Sequence, residues 1–151
     1  MKIYLDVSCL NRPFDDQSQE RIRLESIAVT AILENCAKGE WTHVSSVMAL
    51  IEIANTPNVE KRKKLRALLP PRGDIIDLEE PILTRAKGIE AMGFNRADAA
   101  HVAAAEAQKA DVLLTTDDQL LRAARRSRDR LAVKVLNPIE WLEEQRDVHD
   151  T

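Results

Sequence analysis

Five short apolar or β-branched runs punctuate the chain, at 2–5 (KIYL), 41–44 (WTHV), 74–78 (DIIDL), 111–115 (DVLLT) and 132–136 (AVKVL). Each has strand length, and the segments between them repeat apolar residues at helical spacing. Leu24, Ile27, Ala28, Ala31 and Ile32 predict an amphipathic helix with Glu25, Glu34 and Lys38 on its other faces, stopped by Gly39. Val47, Leu50, Ile51 and Ala54 form the stripe of a second helix, which Ser45 or Ser46 can cap and Pro57 closes. Further helices are predicted over 58–69, 79–92, 96–109, Asp117–Arg128 and about 138–146. Strands alternating with helices imply an α/β fold, a mostly parallel sheet of about five strands covered on both faces. One domain over 1–146 is expected, with a frayed charged tail at 147–151.

The composition changes this picture little. At 151 residues, 44% hydrophobic and 31% charged, the chain suits one ordinary globular core. No apolar stretch has the length of a membrane span and no signal peptide is visible, so a cytoplasmic setting is expected. Cys9 and Cys36 are far apart, which predicts free thiols and excludes a sulfur-rich zinc site. The net charge of −3 argues against a bulk polyanion binder. It is unevenly spread, however: "EKRKKLRALLPPR" (60–72) and "RAARRSRDR" (122–130) are dense basic runs. Such runs ordinarily form solvated helix faces, and their functional reading is contact with phosphates, here through Arg125 and Arg126. Aromatic residues make up 3%, too few for base stacking to be a main binding mode.

The candidate chemistry lies in the acids. Asp6 ends the first strand, where a turn or helix cap would also explain it. Glu52 is the one charge in the helix "VSSVMALIEIAN", so it must face water, a partner or a metal. Asp98, three residues after Asn95, has the place of a capping-box acid; with His101, Ala105 and Lys109 it lies opposite an alanine face that implies close packing. His101 alone on a helix reads first as structural or solvated. Asp117 and Asp118 follow "VLLTT" at a helix start, where capping accounts for one acid more easily than two. Arg12 and the Asp15–Asp16 pair lie in a loop after the first strand, within reach of the same crevice.

In a parallel sheet, ligands sit beyond the carboxyl ends of the strands where strand order reverses. Asp6 and Asp117 leave strands there, and Glu52 and Asp98 lie in the early turns of helices off the same edge. Acids packed together repel, and a divalent cation removes the conflict. All-oxygen ligation selects Mg2+ or Mn2+. Such a site suits hydrolysis of a nucleic-acid backbone, since the cation activates water and neutralises phosphodiester charge.

The ordered set "IYLDVS", "VMALIEIA", "ADAAHVAAA" and "LLTTDDQLL" resembles the PIN-domain nucleases, including the toxin ribonucleases of VapBC toxin–antitoxin pairs, over essentially the whole chain. The resemblance implies a three-layer α/β/α sandwich and Mg2+- or Mn2+-dependent endoribonuclease activity on RNA. It also implies homodimers and a cognate antitoxin partner. By position, Asp6, Glu52, Asp98 and Asp117 match the catalytic acids, with Asp6, Asp98 and Asp117 as metal ligands. Ser8 and Thr115 match supporting hydroxyl residues, and Asp118 is a rival for the fourth acid. The loop "CLNRPFDD" is longer than the usual run-on into the first helix.

Other readings fit less well. A haloacid-dehalogenase-type phosphotransferase needs an acid two residues after the first, where this chain has Ser8. A response-regulator receiver needs an acidic pair and a phosphoacceptor after the third strand, where "DIIDLEE" stands. The non-enzyme alternative is a catalytically silent RNA- or protein-binding module of the same fold that keeps its acids as caps.

Overall fold

The computed structural model describes residues 1–150. Its sheet has five parallel strands: β1 (Lys2–Leu5), β2 (Thr42–Ser46), β3 (Ile75–Ile76), β4 (Val112–Leu114) and β5 (Lys134–Leu136), in the order β3-β2-β1-β4-β5. The chain builds outward from β1 to β3, then returns to β4 on β1's other side. The order therefore reverses between β1 and β4, and the carboxyl ends of those two strands frame the crevice.

Among the described residues eight helices cover the sheet: α1 (Val7–Asn11), α2 (Glu20–Ala37), α3 (Val47–Ala54), α4 (Val59–Ala67), α5 (Glu80–Glu90), α6 (Arg96–Ala107), α7 (Asp118–Arg126) and α8 (Pro138–Asp150). The central strands are apolar on both faces. Ile3, Leu5, Val112 and Leu114 point into a core with α1, α2, α3, α4 and α8, whereas Tyr4, Val44 and Leu113 point into one with α5, α6 and α7. Alternation within continuously apolar strands thus builds the three-layer α/β/α sandwich. Gly39, at φ +83°, supplies the left-handed residue after α2.

Several local expectations are corrected. The segment read as a loop after the first strand folds at once into α1, which buries Val7, Cys9 and Leu10, and then into a 3-10 turn over Arg12–Phe14. The run at 74–78 yields only the two-residue edge strand β3, because Arg72–Asp74 is a 3-10 turn. On α2 the buried positions are Glu25, Ser26, Ala28, Val29 and Ile32, while Leu24 and Ile27 are exposed. On α3 they are Ala49 and Ile53, with Ile51 exposed. Both stripes are rotated because a polar network and the sheet, not hydrophobicity alone, set each helix's inward face. α8 continues beyond the helix expected over about 138–146, into the region expected to fray; Thr151 of that tail lies outside the described residues. Among the described residues no helix is long and apolar enough to cross a membrane.

Candidate active site

Asp6 stands between β1 and α1 at the helix N-cap position, yet its carboxylate does not cap α1. Its Oδ2 instead accepts hydrogen bonds from Ser8 Oγ at 2.9 Å and Thr115 Oγ1 at 2.8 Å. Each hydroxyl has one proton, so the 3.2 Å between those two oxygens is a contact and not a third bond. The hydroxyl oxygens in turn accept from the backbone N–H groups of Thr116 and Asp117, both at 3.1 Å. This string ties the end of β4 to the end of β1. It also occupies Oδ2 and leaves Oδ1 turned toward His101, 3.7 Å from Nε2. Ser8 and Thr115 therefore orient the carboxylate from which the site is built.

His101 comes from the second turn of α6 and is 1% exposed. Its Nδ1 lies 2.6 Å from the Tyr4 hydroxyl, which lies 2.6 Å from Ser46 Oγ. Its Nε2 is hydrogen-bonded to Glu52 Oε1. Asp6, Glu52 and His101 offer ligand atoms that all lie within 4.8 Å of one another. Burial opposes charge on the imidazole, but Tyr4, the Glu52 hydrogen bond and the Asp6 carboxylate outweigh it and raise its pKa well above the ordinary value. Ser46, at the N-cap position of α3, makes no side-chain cap, since its hydroxyl is bonded to Tyr4. Reading His101 as an isolated structural or solvated histidine is thus incomplete. Its pairing with Tyr4 and Glu52 joins three elements far apart in sequence, and the one available signal was its place one turn after Asp98.

Asp98 is buried, and the Asn95 side chain caps α6 by accepting from its backbone N–H at 2.8 Å. Among the described residues no side-chain hydrogen bond is made to its carboxylate. Burial first, then the negative charges of Asp6 and Asp117, push its pKa up to about 6. Burial is the larger cause, and the neighbouring carboxylates add to it. The expected polar face of α6 does not exist in that form. Positions 98–105 are buried all round the helix, because the helix is wedged between α5 and the sheet.

Asp117 is the N-cap of α7, and its side chain accepts from Gln119 N–H at 2.9 Å. Asp118 points elsewhere, to a two-pronged pair with Arg21. Of the two rivals, Asp117 is the one whose charge acts on Asp98, whereas Asp118 is committed to α2.

Among the described residues none of the predicted basic residues makes an ion pair with Asp6, Glu52, Asp98 or Asp117. Arg12 donates to Glu25 and Asp15, both at 2.8 Å. Arg125 and Arg126 are exposed in the last turn of α7, about 12 Å along the helix from its acidic start. Glu25, assigned from sequence to an outer face of α2, is instead fully buried. It accepts from Arg12 Nε at 2.8 Å, Arg21 Nε at 3.3 Å and Asn137 Nδ2 at 2.6 Å. Arg21 also donates to the Thr116 carbonyl at 3.0 Å. This network braces the segment that carries Thr115 and Asp117. Cys9 and Cys36 are free, and burial pushes the Cys9 thiol up, so it is no nucleophile.

Comparisons with known proteins agree with this fold. A solved structure, that of VapBC2 from Rickettsia felis bound to a DNA fragment from their promoter, shares the fold with a TM-score of 0.58 and 18% identity. The match covers 91% of this chain and 98% of that one. No curated protein matches the chain. The sequence model of the PIN domain, a family generally made up of nucleases, matches residues 3–126, from β1 to the end of α7. That span contains every acid of the cluster, and the chain belongs to the PIN domain family.

Proposed function

We propose that the chain is a divalent-metal-dependent endoribonuclease, the toxin of a toxin–antitoxin pair, and that Asp6, Glu52, Asp98 and Asp117 are its metal-binding and catalytic acids. The observation that carries this reading is the convergence of Asp6, Glu52 and His101, whose ligand atoms all lie within 4.8 Å of one another. The buried Asp98 carboxyl, pushed up by burial and then by Asp6 and Asp117, supports it. The donor set fits a hard dication, since carboxylates that repel one another bind such an ion readily. When bound, Mg2+ or Mn2+ activates water and neutralises charge developing on a phosphodiester.

The chain's own residues do the rest. Ser8 and Thr115 fix Asp6 by one oxygen and leave the other for the site. Asp98 approaches from α6 without a competing hydrogen bond. Glu52, with about a third of its side chain exposed, is open to water, and it takes the proton of the attacking water. The likeness to VapBC2 supports an antitoxin partner, and homodimerisation belongs to the same reading. Free thiols at Cys9 and Cys36 support a cytoplasmic setting.

Asp98→Asn tests the reading. It keeps the cap made through the backbone N–H and removes only charge. The expected result is a folded protein that no longer cleaves RNA in Mg2+ or Mn2+. Full cleavage by that variant, or by the wild type in excess chelator, would refute the mechanism.

A further inference from the structure

We infer that His101 is a nitrogen ligand of the metal, held in register by Tyr4, and that the site therefore prefers Mn2+ to Mg2+. The inference rests on the proposed metal site and deepens it, because a nitrogen ligand adds a preference that carboxylates alone do not supply.

Three features converge. The first is proximity: Nε2 of His101, Oε1 of Glu52 and Oδ1 of Asp6 form one group, their ligand atoms within 4.8 Å of each other. The second is the back of the ring. Imidazoles that bind metals almost always donate the opposite N–H to an oxygen, which fixes both ring orientation and proton position. Here Nδ1 meets the Tyr4 hydroxyl at 2.6 Å, and that hydroxyl is backed by Ser46 Oγ at 2.6 Å. With Nδ1–H donated to Tyr4 Oη and the tyrosine O–H donated to Ser46 Oγ, the whole string points Nε2 at the carboxylates. The third is rigidity. Tyr4 lies in the central strand and is fully buried, as His101 nearly is, so the ring cannot swing away.

Nε2 faces Glu52 Oε1 within hydrogen-bond reach, so any proton it carries would lie between the two. Ligation through Nε2 would release such a proton to solvent and would leave the Nδ1–Tyr4 contact in place. Imidazole is a softer donor than carboxylate and favours first-row transition ions, Mn2+ the least of them, over Mg2+, which keeps to oxygen and sheds its waters reluctantly.

Pulsed electron paramagnetic resonance on the full-length wild-type protein loaded with one equivalent of Mn2+ tests this directly. The expected spectrum shows the nitrogen coupling of a directly bound imidazole, which changes when histidine is 15N-labelled and disappears in His101→Asn. In parallel calorimetric titrations, His101→Asn should cut the ratio of Mn2+ to Mg2+ affinity by roughly tenfold. Tyr4→Phe should keep the nitrogen coupling and weaken Mn2+ binding by roughly tenfold. Bound Mn2+ without nitrogen coupling in the wild type would overturn the inference and leave the carboxylate site standing. Absence of binding by either ion would overturn both. Because the decisive spectrum is that of the wild type, a variant that fails to fold does not remove the test.

Discussion

Arg21 grips both carboxylate oxygens of Asp118, at 2.8 and 2.9 Å, and so separates two adjacent acids into different roles. Asp118 joins α7 to α2 on the surface, while Asp117 stays at the helix start within electrostatic reach of Asp98. Asp118→Asn should accordingly keep metal-dependent cleavage, and Asp117→Asn should lose it. Single-turnover cleavage rates of the two variants decide the matter; equal loss in both would contradict the division.

Glu25 is a fully buried carboxylate with three donors, two of them guanidinium groups. Removing it takes one of the two carboxylate partners of Arg12 and leaves Asn137 Nδ2 without its acceptor. Glu25→Ala should destabilise the protein by about 3–5 kcal/mol, read from urea unfolding. Arg21→Ala should cost less, because that side chain is half exposed and water can replace its bonds. A Glu25 variant as stable as the wild type would show that the network braces nothing.

His43, on β2, is buried without a partner for Nε2, and burial pushes its pKa down to about 4. The folded state thus resists protonation that the unfolded chain accepts near pH 6.5. The sign follows: the unfolded state binds more protons between those values, so stability is full above pH 6.5 and falls as the pH drops toward 4. The loss attributable to this side chain is about 3 kcal/mol. Unfolding measured across that window in wild type and His43→Gln should show a shallower slope in the variant. Parallel slopes would rule His43 out as the cause.

A ligand that binds only the folded state stabilises it. At a metal concentration one hundred times its dissociation constant the gain is about 2.7 kcal/mol. Mn2+ or Mg2+ should therefore raise the melting temperature of the wild type but not of Asp6→Asn. A melting curve unmoved by millimolar metal would count against a formed site.

Arg125 and Arg126 lie at the far end of α7 from Asp117. If RNA follows this basic face, neutralising both lowers affinity and flattens the dependence of log affinity on log salt, by about one for each phosphate that is no longer neutralised. Binding titrations across salt concentrations measure the slope, and an unchanged slope returns the pair to a solvated helix face.

The sequence by itself determined the alternation of strands and helices, and with it the parallel sheet and the three layers, because periods of two and of about 3.6 are written locally. It also marked the acids, since Asp6 directly follows an apolar strand and Asp117 follows another after two threonines. Asp98 lies in the first turn of α6, and Glu52 is the one charge in an apolar helix, though in its last turn and not an early one. Only tertiary structure decided which acid does what. Capping, pairing and clustering are indistinguishable along the chain: Asp6 at an N-cap position caps nothing, Asp117 does cap, and Asp118 is held by Arg21 from a helix 97 positions away. Tertiary structure alone also drew in His101 and buried Glu25. Hydrogen bonds to Tyr4, Asn137 and the two arginines outweigh the local preference of a polar side chain for water, and those partners become neighbours only when the sheet has formed.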